Sequence, residues 1–125
     1  MWRLLFALLA ALLAGAPVHA QDTAARMLVQ SSPLAGFQFH AGKALWDQLK
    51  VGAPLTLVRE PENPHDRNAV RVDWQGHTLG YVPRRENQAV AMHMDRGGRV
   101  EARISRLSLQ RDPWQRIEFE IYVRL

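Results

Sequence analysis

The sequence predicts a mainly β domain, a small, partly closed antiparallel β-barrel with two short helices. Three observations carry this. Residues 117–125, "IEFEIYVRL", put Ile117, Phe119, Ile121, Val123 and Leu125 on one face and Glu118, Glu120, Tyr122 and Arg124 on the other. That period of two belongs to a strand with one buried and one wet face. Residues 69–82 repeat the pattern as a hairpin: Val70, Val72 and Trp74 share a face, Gln75-Gly76 supplies the turn, and 78–82 returns. Residues 99–110 then change phase, with Val100, Ala102 and Ile104 in step but Leu107 and Leu109 out of it. A strand moves its inner face only by inserting a residue, so a bulge is expected near Ser105-Arg106, and bulges let a sheet curl.

The other elements follow in order. Residues 1–20 carry one charge at Arg3, an unbroken apolar run over 4–16, then Pro17 and "VHA". This is the layout of a secretory signal cut after Ala20, which makes the chain an exported protein, periplasmic or secreted. The run is shorter than the ~20 residues of a membrane span, so no span remains after cleavage; an uncleaved N-terminal anchor is the alternative. Residues 21–26 read as a flexible leader and 27–125 as one domain. A first strand is expected at 26–30 and a short extended piece at 34–39. A short helix follows at 42–50, where Ala44, Leu45, Gln48 and Leu49 lie at helical spacing. Residues 55–58 form a strand stopped by Pro61. A second helix is expected from Pro83 to about Asp95, ended by Gly97-Gly98, with Val90, Ala91 and Met94 inward. Residues 111–114 make the last turn.

Composition narrows function. The chain has 125 residues, no cysteine and a formal charge of +4, one less without Arg3. An exported chain without disulfides must rely on a packed core. The charge favours polyanions without proving nucleic-acid binding. No catalytic residue is assigned. There is no cysteine nucleophile, Ser31, Ser32, Ser105 and Ser108 lack a nucleophile setting, and no glycine loop cradles phosphate. No cofactor is expected. A zinc set could be drawn from His40, His65, Asp66, His77 and His93, but no two of these histidines have zinc-motif spacing, and surface histidines are the plainer reading.

The densest polar stretch is "REPENPHDRNAVRV", residues 59–72. Pro61 and Pro64 fix φ, and Asn63, Asp66 and Asn68 can tie the backbone to itself. A rigid connection between two strands is therefore sufficient, with Asn68 tying the loop. The Asp66 carboxylate has two readings, one bonded to nearby amides and one facing a cavity. Tyr81 reads equally as a half-buried strand residue or a contact residue. Trp114, between Arg111 and Arg116, reads equally as packing on the barrel end or stacking on a base.

"LVREPENPHDRNAVRV", "GHTLGYVPRRENQAVA" and "DRGG", with "SSPLAGFQFH" upstream, together resemble a HIRAN domain over about residues 27–125. The resemblance implies an OB-like barrel that binds single-stranded DNA and, as in eukaryotic members, captures a free 3′ end. It implies that Phe39 stacks on a base, that Asp66 accepts the terminal hydroxyl, and that Tyr81 and Arg84 lie in a DNA-touching segment. His65 stands where those members have a tyrosine, and Gln38 where they have an arginine. Arg67, Arg84 and Arg85 are then phosphate contacts, and Trp114 a further stacking platform. The same barrel could instead bind another polyanion, a peptide or an envelope protein. The family's ATPase associations belong to larger chains.

Overall fold

The computed structural model describes residues 25–125. The signal reading at 1–20 and most of the leader lie outside the described residues. Six strands and two short α-helices follow in the order β1 (Arg26–Pro33), α1 (Gly42–Leu45), β2 (Pro54–Glu60), β3 (Ala69–Trp74), β4 (His77–Tyr81), α2 (Gln88–Asp95), β5 (Val100–Leu107) and β6 (Ile117–Arg124). The strands form one antiparallel sheet in the order β1-β6-β5-β2-β3-β4.

The three founding observations take definite form. In β6, Ile117, Phe119 and Ile121 are fully buried, while Val123 and Leu125 drift into solvent. The β5–β6 register shifts between Ile104 and Arg106, where the phase change calls for a bulge. The shift lets Ile104 and Leu107 both pack on the core; Leu109 lies past the strand end and is exposed. In β3, Val70, Val72 and Trp74 are buried as expected, but so is Asp73. The Asp73 carboxylate is held by the Arg71 guanidinium at 2.9 and 3.0 Å, which is how a charge tolerates burial there.

Barrel closure by a strand ladder does not occur: β1 and β4 share none. Their nearest link is a single bridge just past β1, where Ala35 and Tyr81 exchange two backbone hydrogen bonds of 2.9 Å. Gly80 makes this approach feasible, because a Cβ there would stand 2.2 Å from the Ala35 carbonyl oxygen.

Four boundaries differ from expectation. β1 starts at Arg26 as expected, pairing there with Arg124, but runs past Gln30 to Pro33. The extended piece at 34–39 stops after Ala35. Gly36 turns the chain at φ 78°, and Phe37–Phe39 form a 3-10 turn that buries Phe37. The first helix is α for one turn and then 3-10 over Trp46–Gln48. The second helix does not begin at Pro83, which is extended (ψ 137°); Arg84–Glu86 form a 3-10 turn and α2 starts only at Gln88. The inner face of α2 is as expected: Val90 and Ala91 are buried and Met94 packs on the core.

Candidate nucleic-acid interface

Residues 61–68 leave β2 and return to β3 as a loop stitched by its own side chains. Asn63 Oδ1 accepts the His65 amide at 2.8 Å, and Asp66 Oδ1 accepts the Asn68 amide at 2.9 Å. Short polar side chains that bond the backbone two residues on are a standard way to fix a turn. The ties therefore come from Asn63 and Asp66. Asn68, expected to tie the loop with its side chain, contributes its backbone N–H instead.

The loop is also pinned to both ends of α2. At the start of the helix, Asn87 Nδ2 donates to Asp66 Oδ2 at 2.7 Å. At its end, the Arg59 guanidinium binds Asp95 at 2.9 and 3.1 Å while donating to the carbonyls of Ala69 and Arg67 at 2.8 and 2.9 Å. The turn before α2 is fastened in its own way: Gln30 Nε2 donates to the Glu86 carbonyl at 2.9 Å, and Ser32 Oγ donates to the Glu86 carboxylate. Ser32 is buried, so β1 anchors the base of the Arg84-Arg85 turn.

Between these two fastened segments lies an open cleft of about 510 Å³, lined by His65, Asp66, Arg67, Arg84, Arg85 and Asn87 among others. A second hollow of about 580 Å³ is lined by Pro83, Arg84, Arg85 and Trp114. The two hollows share Arg84 and Arg85, which stand between Asp66 in one and Trp114 in the other. Trp114 is 44% exposed, on a 3-10 turn whose Asp112 side chain accepts the Trp114 amide. Among the described residues no three His, Asp or Glu side chains gather where they could hold a metal ion.

The arginines divide into two groups. Arg26, Arg59, Arg71, Arg103, Arg106 and Arg124 are each paired with an acid. The other seven, Arg96, Arg99, Arg111, Arg116, Arg67, Arg84 and Arg85, make no ion pair among the described residues, and of these the cleft is lined by Arg67, Arg84 and Arg85. Their side chains are exposed and their donors are free for an incoming anion.

Two of the eight residues singled out from sequence line neither hollow. Phe39 is 76% exposed, on a turn that packs beside the Trp114 turn. Tyr81 is half-buried and committed elsewhere: its hydroxyl donates to Glu60 Oε1 at 2.8 Å and its ring lies 5.7 Å from that of His40. Burial pushes the Tyr81 phenol up, and the Glu60 carboxylate beside it pushes the same way. Glu60 itself is pulled up by burial, but hydrogen bonds from Asn63, Tyr81 and Arg71 outweigh this and hold its carboxyl below the usual value.

Sequence reasoning missed Asn87. It is 2% exposed and sits at the N-cap of α2, yet its side chain makes no cap hydrogen bond and turns to Asp66 instead. An asparagine ahead of an apolar helix is a cap signal. Starting the helix at Pro83 hid it.

Comparison with known proteins agrees with this architecture. The family model of the HIRAN domain matches residues 27–125. A crystal structure of a protein from Lactobacillus plantarum superposes with a TM-score of 0.69 at 29% identity, covering 79% of this chain and 95% of that one. The crystal structure of the HIRAN domain of human HLTF superposes with a TM-score of 0.56 at 19% identity, covering 78% and 76%, a likeness of fold. Among curated proteins, a Fanconi-associated nuclease 1 homolog from Oryza sativa subsp. japonica is 33% identical over 73 residues. The match covers 55% of this chain and only 7% of the nuclease homolog's length. With the family pattern running from Met27 to Leu125, the chain belongs to the HIRAN domain family.

Proposed function

We propose that this chain is a non-catalytic module that binds single-stranded DNA along the surface from Asp66 to Trp114, with preference for a free 3′ end. HIRAN domains are DNA-binding modules. The observation that carries the finer reading is the lining of the cleft, which brings three arginines without an ion pair together with a single carboxylate, Asp66. Guanidinium groups suit phosphates, whereas a carboxylate accepts from a hydroxyl and repels phosphate. A strand whose phosphates lie on Arg84, Arg85 and Arg67 would place a terminal sugar hydroxyl at Asp66. Trp114 and Phe39 would offer rings to bases without regard to sequence, each worth about 1–3 kcal/mol.

The test is binding of a short oligonucleotide ending in a 3′-hydroxyl against the same oligonucleotide ending in a 3′-phosphate, with Asp66→Ala and Phe39→Ala beside the wild type. Phe39→Ala weakens both ends alike, and Asp66→Ala removes the difference between them. Equal wild-type affinity for the two ends rules out end capture; no binding at low salt rules out the whole proposal. Export remains part of the proposal, and fractionation of a tagged chain with mass measurement of its N-terminus tests it.

A further inference from the structure

The Asp66 carboxylate is gripped from two elements. The Asn68 amide of its own loop donates to Oδ1 at 2.9 Å, and the Asn87 side chain at the head of α2 donates to Oδ2 at 2.7 Å. Asn87 is 2% exposed and lines the same cleft. Rotation of Asp66 away from either donor would break a charge-assisted bond, so the plane of the carboxylate is set by the position of α2. Each carboxylate oxygen accepts more than one donor. The grip therefore leaves acceptor capacity on a carboxylate of fixed direction, beside three arginines that would otherwise draw an anion to the same spot.

We infer that Asn87 is the specificity-determining positioning residue of the cleft. By fixing the Asp66 carboxylate it makes the end of the surface select a neutral hydroxyl donor over a phosphate. This rests on the end-capture reading above. Without the amide of Asn87, Asp66 is held only by its own loop, and it can swing toward Arg67, Arg84 or Arg85. Paired with one of them, it would no longer oppose a terminal phosphate.

The experiment measures the affinity ratio between the 3′-hydroxyl and 3′-phosphate oligonucleotides for wild type, Asn87→Ala, Asp66→Ala and the double variant, with thermal unfolding to confirm each is folded. The expected ratio is about tenfold or more for wild type, the scale of one hydrogen bond to a charged acceptor. In Asn87→Ala it falls to near one, through tighter binding of the phosphate end and weaker binding of the hydroxyl end. Removing Asn87 in the Asp66→Ala background changes the ratio no further, the coupling expected of a residue that acts through another. A general loosening of the fold would instead weaken both ends in both backgrounds. If Asn87→Ala does not fold, Asn87→Leu keeps the volume, removes the donor without adding a charge and is expected to lose the preference. A wild type that discriminates and an Asn87 variant that discriminates equally overturn this inference alone. A wild type that binds without discriminating overturns end capture and this inference with it.

Discussion

Arg59 joins the loop that forms one wall of the cleft to the far end of α2. It binds Asp95 through two hydrogen bonds of 2.9 and 3.1 Å, and the same guanidinium donates to the backbone carbonyls of Arg67 and Ala69. The Asp95 side chain is about half exposed, so the ion pair by itself adds little. The carbonyl bonds sit on an Arg59 side chain that is only 14% exposed, and they carry the clamp. Arg59→Ala is expected to destabilise the fold by about 1–3 kcal/mol. Asp95→Ala should have a clearly smaller effect. Urea unfolding of both variants checks the order.

Glu60 makes stability pH-dependent in a defined direction. Burial works to raise its pKa, but hydrogen bonds from Asn63, Tyr81 and Arg71 prevail and lower it from 4.5. A lowered folded-state value means the carboxylate stabilises the fold at pH above 4.5, and this contribution is lost as pH falls through the folded value. Tyr81→Phe removes one of the donors. It should reduce stability at pH 7 by about 1 kcal/mol and shrink the loss seen on acidification. Unfolding followed at pH 7 and at successively lower pH tests this; an unchanged acid profile in Tyr81→Phe contradicts it.

Gly80 is needed where the edges of the sheet meet. A Cβ there would lie 2.2 Å from the Ala35 carbonyl and 3.0 Å from Leu34 Cγ, and neither neighbour is the free end of a flexible chain. Gly80→Ala is expected to cost about 1–3 kcal/mol by forcing the Ala35–Tyr81 bridge apart. Amide exchange at Ala35 and Tyr81 should accelerate more than at Ile104, which pairs with Phe119 within the sheet.

Trp114 gives a direct signal. A base stacked on its half-exposed ring should quench its fluorescence when an oligonucleotide binds, and Trp114→Ala should weaken binding by about 1–3 kcal/mol. The contribution of the other tryptophans is removed by comparing the quench with that of Trp114→Phe.

Much of this molecule can be read from period and phase. The flip between Ile104 and Leu107 is a local property of the sequence, and it located the β5 bulge to the residue pair. The stretch at 59–72 announced a tied loop, because two prolines and three Asx residues have few other uses together. What stayed hidden depends on contacts distant in sequence. Barrel closure rests on whether β1 meets β4, and no local pattern reports that they share one bridge instead of a ladder. Asn63 and Asp66 tie the loop where Asn68 was expected to, a choice decided by backbone geometry. Asn87 looked like an interior position of a longer helix, and its partner Asp66 lies in another element. Tyr81 carries the polar and aromatic character of a contact residue, but Glu60 takes its hydroxyl.

The most direct test of the account is the salt dependence of single-stranded DNA binding, compared between the wild type and Arg84→Ala/Arg85→Ala. The account predicts that log K falls linearly with log salt concentration, and that the double variant binds more weakly with a slope shallower by about 0.7 per arginine removed. Absence of binding at low salt, or a slope that the double variant leaves unchanged, would contradict the claim that the unpaired arginines of this cleft hold a nucleic-acid backbone.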